Sequence, residues 1–286
     1  MYQYTAFDQE FVRRRAEQFR DQIERWQRGE LSDEQLLPLR LQNGWYIQRY
    51  APMARIAVPY GEISSVQLRM LARIAREYDR PDPALLAHAQ ATQDALQAAQ
   101  PGLALKAPPL RYGYGHFTTR TNCQFNWIPL VKAPEVMALL ASVHMHGIQT
   151  SGNDIRNITC DAWEGIAADG IVDCRPFAEI TRQWSSLHPE FSFLPRKFKI
   201  AFNGAEEDRA ATGWYDIGLQ ARKNAAGEVG FTVLVGGGMG RTPVIGSVVR
   251  DFLLWPQLLN YIEAIVRVYN SYGRRDNKWK ARIKIL

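Results

Sequence analysis

Cysteine is scarce, with three in 286 residues. Cys123, Cys160 and Cys174 lie far apart and show no C-x-x-C spacing, which argues against a disulfide scaffold or a zinc ribbon. A self-contained iron–sulfur cluster needs four thiolates, and this sequence has too few. Histidine is equally thin. His88, His116, His144, His146 and His188 lack the i, i+4 pairing of a helical metal site and read as structural or surface residues, so no metal ligand is expected. A run of about 18 apolar residues is missing, which excludes a membrane-spanning helix on sequence grounds. The opening stretch MYQYTAFDQEFVRRRAEQF is mixed in charge, without the apolar core of a secretory signal, so a cytoplasmic protein is expected. Negative charge is in modest deficit, giving a net charge of +6. Nearly all of that excess falls in one window, where Arg274, Arg275, Lys278, Lys280, Arg282 and Lys284 face Asp276 alone. The remainder is close to neutral, so the cationic end is an anion-binding element or a tail.

The hydrophobic fraction of 46% and charged fraction of 22% are those of a globular chain, long enough for two ordinary domains. Val12, Ala16, Phe19, Ile23 and Trp26 recur on one helical face over 8–28. Ser32 with Gln35 is a capping box for a short helix expected to stop near Pro38. Residues 45–58 read as strand with Pro52 at an edge, and 64–78 as a helix capped by Ser64 or Ser65. Residues 81–110 turn rich in Ala, Gln and Pro and read as an inserted surface excursion with a helical middle. Strand (114–129) and helix (133–146) follow. The second half offers a helix at ITRQWSS, strands at KFKIAFNG, GWYDIGLQAR and FTVLVGG, a long helix at PQLLNYIEAIVRVYNSYG and a last strand at KARIKIL. Neighbouring strands grouped before a helix point to an α+β fold.

Four segments carry candidate chemistry. In LPRKFKI (194–200), strand alternation places Lys197 and Lys199 on one face and Arg196 and Phe198 on the other, a paired cationic seat for an oxyanion or a solvent-facing strand. In TSGNDIRN (150–157), Gly152, Asn153 and Asp154 turn the chain ahead of Arg156. In GHFTTRTNCQFNW (115–127), Arg120, Asn122, Gln124 and Asn126 form a polar face opposite Thr121, Cys123, Phe125 and Trp127, so Cys123 reads as buried and inert. In VGGGMGRTP (235–243), glycines after an apolar strand allow close backbone approach, but the spacing fits neither a P-loop nor a dinucleotide fingerprint.

These motifs in this order, closed by YNSYGRRDNKWKARIKIL and preceded by RLQNGWYIQRYAPMARIAVPYG (40–61), resemble the sirohaem-dependent sulfite and nitrite reductase family, specifically its bacterial sulfite reductase haemoproteins. The resemblance covers nearly all of the chain outside 81–110. It implies an N-terminal helical extension over 1–40 and a ferredoxin-like half-domain over 41–150. The first half of a sirohaem-binding reductase domain would follow over 151–286. It further implies assimilatory six-electron reduction of sulfite, with nitrite as the alternative substrate. The cofactors would be sirohaem and a 4Fe–4S cluster, and the electron donor ferredoxin or a flavoprotein. Arg156, Lys197, Lys199 and Arg55 match the substrate-side cations. Arg120, Asn122, Gln124 and Asn153 match sirohaem contacts, Lys280 and Arg282 a basic strand near its carboxylates, and Gly236 to Gly238 a glycine loop. A macrocycle bearing eight carboxylates calls for such donors.

Two departures stand out. Many relatives carry a second arginine two residues after the one at Arg55, whereas this chain has Ala57, so Arg55 or Arg49 substitutes or the site has one charge fewer. The family's two cysteine pairs, C-x5-C and C-x3-C, are missing. The expectation is therefore a fragment, split product or truncated relative, inactive alone and completed by a cysteine-bearing C-terminal half. Outside the enzyme class, RYGYGHF (111–117) resembles faintly the aromatic strand of a single-stranded RNA-binding module, but the near-neutral body argues against a nucleic-acid partner. No membrane partner is expected.

Overall fold

The computed structural model describes residues 2–48, 51–102 and 110–286; Arg49 lies outside them. Reciprocal capping boxes start the first three helices: Thr5 with Asp8 for α1 (Ala6–Gln27), Ser32 with Gln35 for α2 (Asp33–Gln42) and Ser64 with Gln67 for α3 (Ser65–Tyr78). Each such cap contributes about 1 kcal/mol by satisfying amides that the first turn leaves open. Pro38 does not end α2, which continues to Gln42. Helix α4 (Pro83–Ala99) occupies the Ala/Gln-rich excursion and buries none of its residues. Asp79, 1% exposed, pins the base of that excursion: it accepts the amides of Gly113 (2.8 Å), Tyr114 (3.2 Å), Asn126 (3.1 Å) and Trp127 (2.8 Å).

The first sheet runs β1-β2-β4-β3 and is antiparallel throughout, with β1 (Trp45–Gln48), β2 (Ala51–Ala57), β3 (His116–Phe117) and β4 (Asn122–Phe125). Pro52 pairs with Ile47 beyond the reach of β4, where β2 has one neighbour and a missing amide costs nothing. Helix α5 (Ala133–Ala141) packs against α1. Phe19, Ile23, Leu36, Ile56, Ile74, Phe125 and Val136 share the resulting core, so the N-terminal helices and the sheet are buried together.

The second sheet runs β5-β6-β7-β8, with β5 (Ile200–Asn203), β6 (Ile217–Lys223), β7 (Val229–Val235) and β8 (Ser247–Leu254); β5 and β6 are parallel. Helices α6 (Arg175–Ser185) and α7 (Leu258–Tyr272) complete a core around Phe198, Phe202, Phe231, Ile262 and Tyr269. The expected last strand at KARIKIL is instead a 3-10 turn (Ile283–Ile285). Ala281 and Ile283 are buried in alternation, as a strand would be, but the Ala281 carbonyl is taken by the Tyr269 hydroxyl (2.7 Å) rather than by a neighbouring strand. Among the described residues no helix is long and apolar enough to cross a membrane. The architecture is α+β with ferredoxin-like sheets.

Candidate anion and cofactor site

The segment ahead of β5 is held by a second extended stretch. Ile155 and Thr159 form parallel bridges to Phe198 and Ala201. The Arg156 amide donates to the Phe198 carbonyl (2.7 Å), and the Phe198 amide to the Asp154 carbonyl (2.9 Å). Phe198 is fully buried against Tyr269, ring centroids 5.3 Å apart, so its neighbours Lys197 and Lys199 turn away from the core together. That much follows the expected alternation. Arg196 does not, because the chain bends at 195–196 and brings Arg196 to the same cleft as Lys197.

This cleft, about 460 Å³, lies where the two cores meet and is lined by Tyr46, Arg55, Asn153, Asp154, Arg156 and Lys197 among others. Arg55 comes from β2, held by the Gln124 side-chain oxygen (2.6 Å from Nη2) and the Tyr46 hydroxyl. Two glycines let the chain close around it: a Cβ on Gly44 would stand 2.4 Å from the Arg55 carbonyl oxygen, and one on Gly147 2.2 Å from that of Asn43. The Thr150 carbonyl accepts from both Arg55 (3.4 Å) and Arg156 (2.8 Å), fixing two guanidinium groups side by side. Arg156 also donates to the Gly152 carbonyl (2.6 Å). Its Nε lies 3.1 Å from Asp154 Oδ1, a charge contact without hydrogen-bond alignment, and among the described residues neither buried atom has a hydrogen-bond partner.

Behind the cleft the positive charge continues inward. Arg120 lies not on a strand but in the β3–β4 turn, where Thr121 takes φ +51°. Its guanidinium sits over the Tyr215 ring, 4.9 Å from the centroid, and donates from Nη2 to the Asn157 carbonyl (2.5 Å). Its Nη1 is buried and, among the described residues, has no hydrogen-bond partner. Arg282 is paired with buried Asp216, 2.8 Å away, and the same carboxylate accepts the Lys199 amide (2.8 Å). Asn157, 1% exposed, directs Nδ2 at the carbonyls of Val58 and Thr121 and at Asn122 Oδ1 (3.2–3.3 Å), joining the first sheet to the Arg156 segment.

The titrations register this crowding. Burial first, then Arg156 and Arg196, push Lys197 down to about 8. Burial, then Arg282 and Arg120, push Lys199 down to about 8. Burial pushes Asp154 up to about 7 against the pull of Arg156. The arrangement is a set of cations held close without enough carboxylates to neutralise them, and it can stabilise an anion placed among them.

The structure thus brings Arg55, Asn153, Arg156 and Lys197 to one cleft and places Lys199, Arg120 and Arg282 next to it. Asn122 and Gln124 are buried, and their side chains are spent on Asn157 and on Arg55 and Asn126 respectively, so they position their neighbours. Lys280 is exposed, and the basic strand expected to carry it with Arg282 is not formed. The glycine loop does approach the basic segment: a Cβ on Gly238 would stand 2.9 Å from Lys284 Cδ and 3.4 Å from Arg282 Nη2. Ala57, in the second-arginine position, is buried opposite Asn122. Tyr46, Asp154, Tyr215 and Asp216 are site residues that sequence reasoning did not select. The i, i+2 spacing of Asp154 and Arg156 was their one visible signal.

The donor-rich, partly unpartnered cationic run fits a polycarboxylate cofactor such as sirohaem. The cysteines do not fit a cluster. Cys123, Cys160 and Cys174 are buried free thiols, with burial pushing Cys123 up to about 12 and the other two upward as well. Among the described residues no group of three or more His, Cys, Asp or Glu is placed to hold a metal ion. Tyr112 and Tyr114, from the RNA-like motif, precede a two-residue edge strand and offer no central stacking platform.

Residues 151–286 match the family described as nitrite and sulphite reductase 4Fe-4S domain. The chain is 30% identical over 235 residues, 80% of its length, to an assimilatory ferredoxin-dependent nitrite reductase of Haloferax mediterranei, of which it covers 36%. It is 28% identical over 167 residues, 58% of its length, to sulfite reductase [ferredoxin] 1 of Mycolicibacterium paratuberculosis, covering 30% of that protein. Its fold matches the NirA protein of Mycobacterium tuberculosis with a TM-score of 0.72 over 89% of this chain and 44% of that one, at 21% identity. The chain therefore spans well under half the length of these relatives, whose names are those of oxidoreductases. Residues 151–286 thus belong to the nitrite and sulphite reductase 4Fe-4S domain family, and motifs, sheet topology and relatives together support the sirohaem nitrite and sulfite reductase family for the chain.

Proposed function

We propose that this chain supplies the anion-binding and sirohaem-cradling side of an assimilatory sulfite or nitrite reductase. The observation that carries the proposal is the convergence of Arg55, Arg156 and Lys197 on one cleft, with Lys199, Arg120 and Arg282 continuing the positive run behind it. Opposite charges ~4 Å apart gain about 4 kcal/mol at an effective dielectric near 20 before desolvation is charged. Arg55, Arg156 and Lys197 hold the small oxyanion. Lys199 lies beside them on the same face; Arg120, Arg282 and Asn153 would hold the cofactor's carboxylates, with Lys280 at the periphery. When bound, sirohaem supplies the iron through which electrons reach the anion. Lys197 and Lys199, held near neutrality, can give up protons at Nζ as oxygen leaves as water.

The cluster ligands then belong to a cysteine-bearing polypeptide that completes the site, with ferredoxin as the donor named by the relatives. The sequence motifs resemble sulfite reductase haemoproteins but do not separate the two anions. The nitrite reading is favoured by one observation: nitrite reductases align over about 80% of this chain, and sulfite reductases over 58%.

The test is co-expression with a polypeptide bearing the two cysteine pairs, in cells that make sirohaem. Expected are sirohaem absorption and oxidation of a reduced viologen dependent on nitrite or sulfite. Lys197→Ala and Lys199→Ala should each cut turnover at least ~tenfold while the protein stays folded. A colourless complex without anion-dependent oxidation refutes the proposal, and unchanged turnover in both variants removes these lysines from it.

A further inference from the structure

Among the described residues lining the cleft, every charged side chain is cationic except one. Arg55 from β2, Arg156 from the bridging stretch, and Arg196 and Lys197 from the segment ahead of β5 face it, with the Tyr46 hydroxyl from β1; the α2 residues on its wall, Pro38, Leu41 and Gln42, carry no charge. Asp154 is the exception. Its position is fixed by backbone: its carbonyl accepts the Phe198 amide (2.9 Å), between the two lysines. Its Oδ1 lies 3.1 Å from Arg156 Nε but is not aligned to accept, and among the described residues this buried oxygen has no hydrogen-bond partner. A buried carboxylate beside an arginine would ordinarily be locked in a bidentate pair. Arg156 instead spends Nη1 and Nη2 on the backbone carbonyls of Thr150 and Gly152.

We infer that Asp154 takes up a proton when an anion enters the cleft, so that this site loads an anion and a proton together. The inference rests on the anion-site reading above and adds to it a residue that stores a proton beside the substrate position. The balance is simple. An incoming monoanion takes the place Asp154 holds as counter-charge to Arg156, and like charges a few ångströms apart in a buried site cannot both persist cheaply. One proton from solvent adds to the carboxylate, and the net charge of the cleft is unchanged. Burial already holds this carboxyl at about 7, so a modest further push suffices. A reaction that consumes protons as oxygen departs would then begin with one already in place.

The experiment uses the full chain and sodium nitrite, whose charge is constant over the range used. Calorimetry from about pH 5.5 to about 7.5, in buffers of different ionisation enthalpy, gives protons taken up per anion bound. Expected for the wild type is roughly half a proton per anion near the midpoint, rising toward one above it. The apparent Kd should weaken by up to ~tenfold per pH unit above the midpoint. Asp154→Asn should lose that uptake and show a correspondingly shallower pH dependence of nitrite affinity; any uptake by Lys197 remains in the variant and subtracts out. Nitrite binding with equal proton uptake in both proteins overturns the inference while leaving the anion site intact. Absence of nitrite binding at every pH overturns both. Should the variant not fold, carboxyl carbon resonances of labelled wild-type protein decide: the Asp154 midpoint must rise on saturation with nitrite, and an unmoved midpoint ends the inference.

Discussion

Replacing Lys197 by methionine should make the protein more stable and a worse anion binder at once. The ammonium is forced down from 10.5 to about 8 by burial and by Arg156, Arg196, Arg282 and Arg55. Full desolvation would make that displacement worth about 3 kcal/mol; solvent screening at a half-buried site leaves roughly 1–2 kcal/mol. The sign follows from proton counting. Between about 8 and 10.5 the folded state holds fewer protons than the unfolded one, so stability rises with pH through that window and the penalty is complete below it. Lys197→Met removes the penalty, so at pH ~7 the variant should melt roughly 2–3 °C higher in a chain of this size. The gain should fade as pH climbs past about 10. Adding nitrite should raise the wild-type midpoint by mass action and shift the variant little. Thermal melts at two pH values, with and without nitrite, test this directly. A variant that melts lower at neutral pH, or a gain that does not shrink on raising pH, refutes the picture of a site strained by its own charge.

Asp216→Asn should be costly, because it leaves Arg282 facing the interior without its counter-charge and alters the acceptor of the Lys199 amide. A loss of about 3–5 kcal/mol in urea unfolding is expected, and a loss below about 1 kcal/mol would show the pair to be incidental. Excising Pro83–Ala99 in favour of a short Gly-Ser link should move the melting point by no more than about 2 °C, since α4 buries nothing. Asp79→Ala in the intact chain should cost about 2–4 kcal/mol, because four amides lose one acceptor.

What the sequence disclosed follows the strength of its periodicities. The α1 face from Val12 to Ile23, the capping box at Ser32 and a serine cap at 64 or 65 are local signals; all appear in the fold, the last at Ser64. Strand β8 left no such trace: five of its eight residues are exposed, so SVVRDFLL has no buried face to alternate with. KARIKIL had the alternation without a strand beside it. Lys197 and Lys199 were legible because Phe198 between them had to go inward. Arg196 was not, because a bend at 195–196 depends on contacts far along the chain. Asp154 read as turn chemistry, and its burial beside Arg156 exists only after the two cores come together.

Asn157 carries the last consequence. Its amide reaches from the Arg156 stretch to the turn that presents Arg120, to Val58 just after β2 and to Asn122 of β4. Arginines contributed by separate cores are thereby set in one frame before any guest arrives, so little ordering entropy is left for the guest to offset. Such a socket sorts guests by outline and charge spacing rather than by folding shut upon them. Loosening that single amide should therefore surface first as poorer discrimination among oxyanions of different shape, well before it surfaces as unfolding.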